Sequence, residues 1–269
     1  MKIIFLALAI LALPVFGIPG TPESGHRLGA HPAVKAFGNG ESIRYGLYYT
    51  LAGIYVNAGT AMFTTRLTQL QNRAVYHLKG EGSSNSHYDW IFKVRDKYES
   101  YVDTSELQPL QFIRHVQEGK YKKFEQVSFN RSAGTAITSE GVYKVPSGVH
   151  DVISIVYAMR NIDFNRYKAN DTISFNLFLD NQVYALYVRY ICKETVRTKY
   201  GKFNAIKIKP LLIKGTLFQG GEQMDIWITD DENHIPVRIQ TPLVVGKLRA
   251  DMMQFDNLSY PLSALIKGN

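Results

Sequence analysis

The sequence predicts an all-β protein, with antiparallel strands curled into a barrel or half-barrel and one central α-helix packed on the sheet. Three observations predict it. Apolar and polar residues alternate with period two in run after run, as in strands with one buried face. The runs are short and separated by Gly, Asn and Asp turns, without the helices that parallel crossovers would need. Aromatic residues make up 12% of the 269, with 17 Tyr and 14 Phe, a composition that leans toward strands. Sheets with this many strands rarely stay open, so curling is expected.

Residues 1–17 read as a secretory signal. Met1-Lys2 is a short basic start, Ile3 to Phe16 is apolar, and Val15-Phe16-Gly17 suits a signal peptidase. The run is shorter than the roughly 20 residues that span a bilayer, and no later window would span as a helix. The one cysteine, Cys192, lies far from the cleavage point, so no lipid-attachment cysteine follows it. The mature protein is expected to be exported, periplasmic or envelope-associated, and not lipidated. Residues 18–36, rich in Pro and Gly, read as a flexible leader. A single β-rich domain of two similar halves is expected over 37–261, with 262–269 a tail.

Strands follow the turn at Phe37–Glu41. Ile43, Tyr45, Leu47, Tyr49 and Leu51 share one face of the first, and Tyr55–Arg66 forms the second. Val75–Glu81, Tyr88–Arg95, Tyr98–Asp103, Leu110–Glu118, Tyr121–Phe129 and Thr135–Val142 also read as extended. Beyond the helix, Ile173–Leu179 meets Val183–Tyr190 across Asp180-Asn181, a pair that tolerates left-handed backbone. Val196–Lys199, Phe203–Lys209, Leu211–Phe218 and Gln223–Thr229 complete the set, the last two flanking Gly220-Gly221.

The helix is expected at 149–162, joining the two halves. Val152, Ile155, Val156 and Met159 fall at i, i+3, i+4 and i+7, one apolar stripe. Ser147 or Asp151 caps its start, Ser154 and Tyr157 take the opposite face, and Asp151 and Arg160 form its rim. The halves echo each other: Trp90–Asp96 and Ile226–Asp231 are both aromatic strands followed by a turn, a proline (Pro109, Pro236) and a strand. Duplication and two convergent hairpins explain this equally well.

These features together resemble an exported bacterial family, domain of unknown function number three-one-zero-eight, seen in envelope proteins of the Bacteroides group. The resemblance rests on Phe37, Gly40-Glu41, Tyr45 and Gly59, and on the helix segment Asp151–Arg160. Gly201, Phe203, Lys207 and Pro210 continue it, as do Trp227, Asp230-Asp231 and Pro236. It covers about residues 37 to 255 and implies fold and export, but no activity. The hairpin Ile226–Arg238 is similar to one in the periplasmic lipoprotein carriers, half-open barrels that hold acyl chains on a concave face.

Catalytic motifs are missing: there is no Gly-x-Ser-x-Gly elbow, no phosphate loop, no dinucleotide fingerprint and no His-Glu-x-x-His pair. His77, Glu81, His87 and Asp89 could surround a metal at one hairpin tip, but polar loop decoration is the simpler reading. No metal or cofactor is expected. Cys192 reads as a packed thiol, and Asp230, Asp231 and Glu232 as an acidic turn. Asp151 and Arg160 read as a cap and a partly buried guanidinium, with ligand contact at the helix rim as the alternative. The net charge of +8 fits an anionic partner or an ordinary solvated surface; the densest basic cluster, Lys120, Lys122 and Lys123, sits in a hairpin turn. Export argues against nucleic acid.

Three functions remain open: a non-enzymatic binder of an apolar or amphipathic, lipid-like ligand; a scaffold partner of other envelope proteins; and a polysaccharide hydrolase built on two carboxylates. The first is favoured. Its expected ligand-binding residues are Tyr45, Tyr49, Trp90, Phe92, Tyr184 and Trp227, with Tyr88 nearby, because buried Tyr and Trp need polar partners and so suggest a wet or filled interior. A solid core with hydroxyls reaching the rim is the rival.

Overall fold

The computed structural model describes residues 26–28, 35–213 and 220–267. The signal segment 1–17 lies outside them, as does most of the leader. The described strands are β1 (His26–Arg27), β2 (Ser42–Leu51), β3 (Ile54–Leu70), β4 (Arg73–Ser84), β5 (Arg95–Asp103), β6 (Pro109–Glu118), β7 (Tyr121–Asn130), β8 (Thr135–Thr138), β9 (Gly141–Lys144) and β10 (Val149–His150). They continue with β11 (Thr172–Leu179), β12 (Gln182–Arg197), β13 (Lys202–Pro210), β14 (Asp225–Thr229), β15 (Pro236–Pro242), β16 (Lys247–Asp256) and β17 (Leu265–Ile266). Two short helices accompany them, α1 (Asp89–Phe92) and α2 (Ser154–Met159).

All strands belong to one sheet. β2 to β9 form one antiparallel meander and β11 to β16 another, and β16 pairs with β2 to weld them. Among the described residues, only the short β1 and β10 run parallel, both on β11. The C-terminal β17 docks on β13 beside the buried Ala264, so part of the expected tail is built into the fold.

The sheet curls until its far edges meet through side chains, with no backbone ladder between them among the described residues. Phe178 of β11 touches Phe129 of β7 at 6.0 Å and Tyr143 of β9 at 5.8 Å. Asp180, at the β11–β12 turn, takes both Arg114 and Lys123, and Asn181 donates to Glu140 at 2.7 Å. The result is an unclosed barrel, all-β as the alternation predicts, with α2 inside the curl.

The helix is shorter than 149–162. Val149–His150 pairs with β11 instead, and Asp151 ends that strand by accepting the backbone N–H groups of Ile153 and Ser154 at 2.8 Å. Ser154 and Tyr157, expected on the face opposite the apolar stripe, are buried, because that face of the helix packs inside the barrel. Ile153 and Tyr157 face the first meander. Gly80 of β4 makes room for Ile153: a Cβ there would lie 3.1 Å from Phe63 and 3.2 Å from Ile153. Tyr157 packs edge-on against Phe37 at 4.8 Å.

Other strand expectations change as well. Residues 88–93 of the strand expected at 88–95 are not extended: Asn85 accepts from His87 N–H, Ser84 pairs with Asp89, and these local bonds turn the chain into a 3-10 turn and α1, so that the strand β5 starts only at Arg95. Val183–Tyr190 and Val196–Lys199 are one strand, β12, bulged between Tyr190 and Cys192. Most of Leu211–Phe218 lies outside the described residues. The weld strand β16 escapes the alternation because a bulge at Met252/Gln254 breaks its period.

Candidate functional site

The apolar stripe of α2 does not pack flush against the second meander. Val152, Ile155, Val156 and Met159 form one wall of a groove, and Phe175, Leu186, Val188, Ile208, Ile226 and Ile228 form the other. Its volume is about 90 Å³, and it opens where Val156, Phe175 and Ile226 are half-buried. The groove lies between α2 and the inward face of β11 to β14. Their inward positions are branched aliphatics and Phe, so the lining is almost wholly apolar.

One end of the groove is polar. Arg160 and His234 line both the groove and an adjoining pocket of about 460 Å³, which also carries Asp163, Asp230, Glu232 and Tyr260. Arg160 is 3% exposed and fully employed: it donates to both Glu41 oxygens at 2.6 and 2.8 Å, to the Ala36 carbonyl at 2.9 Å and to the Asn233 carbonyl at 3.0 Å. Phe37 and Tyr157 present ring faces to it at 5.7 and 5.6 Å. Its charge is spent on Glu41.

His234 has φ +43° and holds its Nδ1 2.7 Å from the Arg160 carbonyl oxygen. A carbonyl only accepts, so Nδ1 carries the proton and Nε2 is left as an acceptor. Burial lowers its pKa, keeping the ring neutral. Asp231 locks the surrounding turn, accepting from Thr229, Asn233 N–H and Ala264 N–H. Asp230 pairs with Lys193 at 2.9 Å and Asp163 with Arg166 at 2.9 Å. With Arg160 paired to Glu41, Asp230 to Lys193 and Asp163 to Arg166, the pocket is polar at its mouth and apolar toward the groove, fit to orient an amphipathic molecule.

The aromatic residues singled out from the sequence do not converge on this groove. Tyr45 is buried in the core against Phe63 at 5.9 Å, and burial drives its hydroxyl pKa far up. Tyr49 donates to the Val245 carbonyl at 2.9 Å, and Tyr184 to Gln182 at 3.2 Å. Phe92 lies half-buried against Gly119, whereas Trp90 is 83% exposed. Trp227 is on the outer wall, donating to Glu194 at 2.7 Å beneath Lys207 at 4.8 Å. Asp151 is the cap of α2, also accepting from Ser100 at 2.6 Å, and burial raises its pKa to about 6. The groove residues were visible in the sequence only as the helix stripe, which reads equally as core.

The remaining chemical candidates are engaged in separate pairs. His77 pairs with Glu99 at 3.0 Å and stacks on Tyr101, Glu81 meets Lys79 at 2.9 Å, and Asp89 meets Arg95 at 2.6 Å. Among the described residues, no group of His, Cys, Asp and Glu is placed to hold a metal. Cys192 is half-buried, its pKa raised by burial and by Glu194.

No curated protein matches the chain. Among solved structures, the beta-barrel-like protein of domain of unknown function DUF1849 from Brucella abortus has a TM-score of 0.56 at 10% identity, over 84% of this chain and 100% of that one. That likeness shows the fold. A protein of Bacteroides fragilis, described as exported and YmcC-like in fold, has a TM-score of 0.34 at 11% identity, over 85% and 100%. The family model described as protein of unknown function, DUF3108, matches residues 44–253, which span both meanders and α2. The chain belongs to the DUF3108 family.

Proposed function

We propose that this protein is a non-enzymatic, exported envelope component that binds the apolar end of an amphipathic ligand in the groove beneath α2. The observation that carries the reading is the continuity of the aliphatic groove with the polar pocket across Arg160 and His234. Export rests on the basic-then-apolar start, and the absence of a lipid anchor on the position of Cys192.

Volume limits the ligand. At about 90 Å³ the groove is smaller than the ~150 Å³ cavity that accepts a benzene ring, and smaller than pockets that enclose whole ligands. An acyl chain therefore lies along it half-covered, with its polar end among Asp163, Asp230 and Glu232. The mouth, where Asp163 and Asp230 already hold cations and Glu232 adds a further carboxylate, suits a hydroxyl-rich head with a single amine over an anionic one.

Titration of the full-length protein with a fluorescent sphingosine-like long-chain amine tests this. Saturable binding is expected, weakened about tenfold or more by Val156→Trp, which fills the groove from its half-buried side. The far-UV spectrum of the variant should match the parent. Undiminished binding by a folded Val156→Trp protein would overturn the proposal.

A further inference from the structure

In an antiparallel meander alternate turns fall at the same end. Because β15, β16 and β2 to β7 are sheet neighbours in that order, four turns follow one another round one rim. They are the turns at 243–246, 51–54, 85–94 and 119–120. Contacts tie them together: Tyr49 donates to the Val245 carbonyl at 2.9 Å, Asn85 N–H to Ala58 at 2.8 Å, and Gly119 N–H to Lys93 at 2.8 Å.

Turn tips normally carry Gly, Asn, Asp or Ser. Here three consecutive turns carry large, mostly exposed apolar side chains at or directly beside their tips. Ile54 is 67% exposed, Trp90 83%, Val244 55% and Val245 54%, with Leu51 and Ile91 beside them. Lys93, Lys120, Lys122 and Lys247 are exposed on the same turns or the strands that leave them. The acids nearby are muted: Asp89 is paired with Arg95, and Glu118 is buried.

We infer that this rim docks on the surface of an anionic lipid bilayer, with the apolar tips entering the headgroup layer and the lysines meeting lipid phosphates. Apolar tips, an interfacial Trp and flanking lysines are the combination such a surface selects. The apolar side chains project from successive turns, each exposed on its own, which suits a yielding bilayer better than a rigid protein partner. The inference stands apart from the groove reading, since the two use different residues.

The test uses the full-length chain and vesicles of phosphatidylglycerol with phosphatidylcholine, against phosphatidylcholine alone. In a Trp227→Phe protein, Trp90 is the one remaining tryptophan of the 2 in the sequence. Its emission should shift to the blue on anionic vesicles and be quenched by brominated acyl chains. Partitioning in sedimentation should fall about tenfold or more in the triple variant Ile54→Gln, Val244→Gln, Val245→Gln, and weaken with added salt. These residues are exposed, and an unchanged far-UV spectrum confirms the fold. Unchanged partitioning of the triple variant would assign binding to another segment and overturn the inference. So would equal binding to neutral vesicles, or a rim that self-associates without binding vesicles.

Discussion

Arg160 and Glu41 form a two-pronged ion pair, at 2.6 and 2.8 Å, across 119 positions of chain. Both are buried, and the guanidinium also holds the carbonyls of Ala36 and Asn233. One side chain thus joins the entry to β2, the end of α2 and the β14–β15 turn, the three segments at the polar end of the groove.

Replacing Arg160 by Met should destabilise the fold by about 3–5 kcal/mol, because Glu41 is left charged and buried without a cation. Adding Glu41→Gln should restore part of the loss. Urea unfolding of both single variants and the double variant closes the cycle. Additive losses would show that the pair is not coupled.

Asp96 sets a pH dependence. Burial, and then the charge of Glu118, pushes its pKa up to about 7, while the Gln117 N–H at 3.0 Å pulls it down. An unfolded Asp titrates near ~3.9. Between those values the folded protein holds a proton that the unfolded chain releases, so this group's contribution to stability falls as pH rises and is fully lost above pH ~7. Asp96→Asn should therefore be more stable than the parent at pH ~8, by about 1–3 kcal/mol, with the two converging near pH ~4. Thermal or urea unfolding across that range checks the sign; a constant offset would contradict it.

Gly246 and Gly53 share a positive φ, +78° and +83°, but not their surroundings. A Cβ on Gly246 would lie 2.6 Å from the Thr50 carbonyl oxygen, whereas one on Gly53 meets nothing within 4 Å. Gly53→Ala should cost about 1 kcal/mol of backbone strain. Gly246→Ala should cost more, roughly 2–4 kcal/mol, because it also pushes β2 from the β15–β16 turn. Equal losses in denaturant midpoints would show that the close approach relaxes freely.

Strand positions were legible wherever one face is buried. Ser42–Leu51, Tyr121–Asn130 and Thr172–Leu179 lie within a residue of the alternating runs that predict them, and Asp180-Asn181 adopts the left-handed turn expected, with φ +48° and +63°. Residues 88–93 misled because alternation cannot see Asn85, Ser84 and Asp89 bonding locally. β16 was hidden because one bulge shifts the period. The aromatic residues chosen for the site were legible as strand residues but not by face: Trp227 and Lys207 pair on the outer wall while their neighbours Ile228 and Ile206 pair inward.

By itself the sequence determined an antiparallel β fold, its turns, and a helical segment with an apolar stripe, because those follow from local periodicity and backbone preference. Tertiary structure alone decided that β16 pairs with β2, that α2 lies inside the curl the sequence predicts, and that the stripe borders a groove ending at Arg160 and His234. The reason is physical. Period-two alternation says that a side chain is buried or exposed, but which residues meet depends on register and curvature between segments far apart in the chain. Arg160 and Glu41, 119 positions apart, are brought together by that curvature.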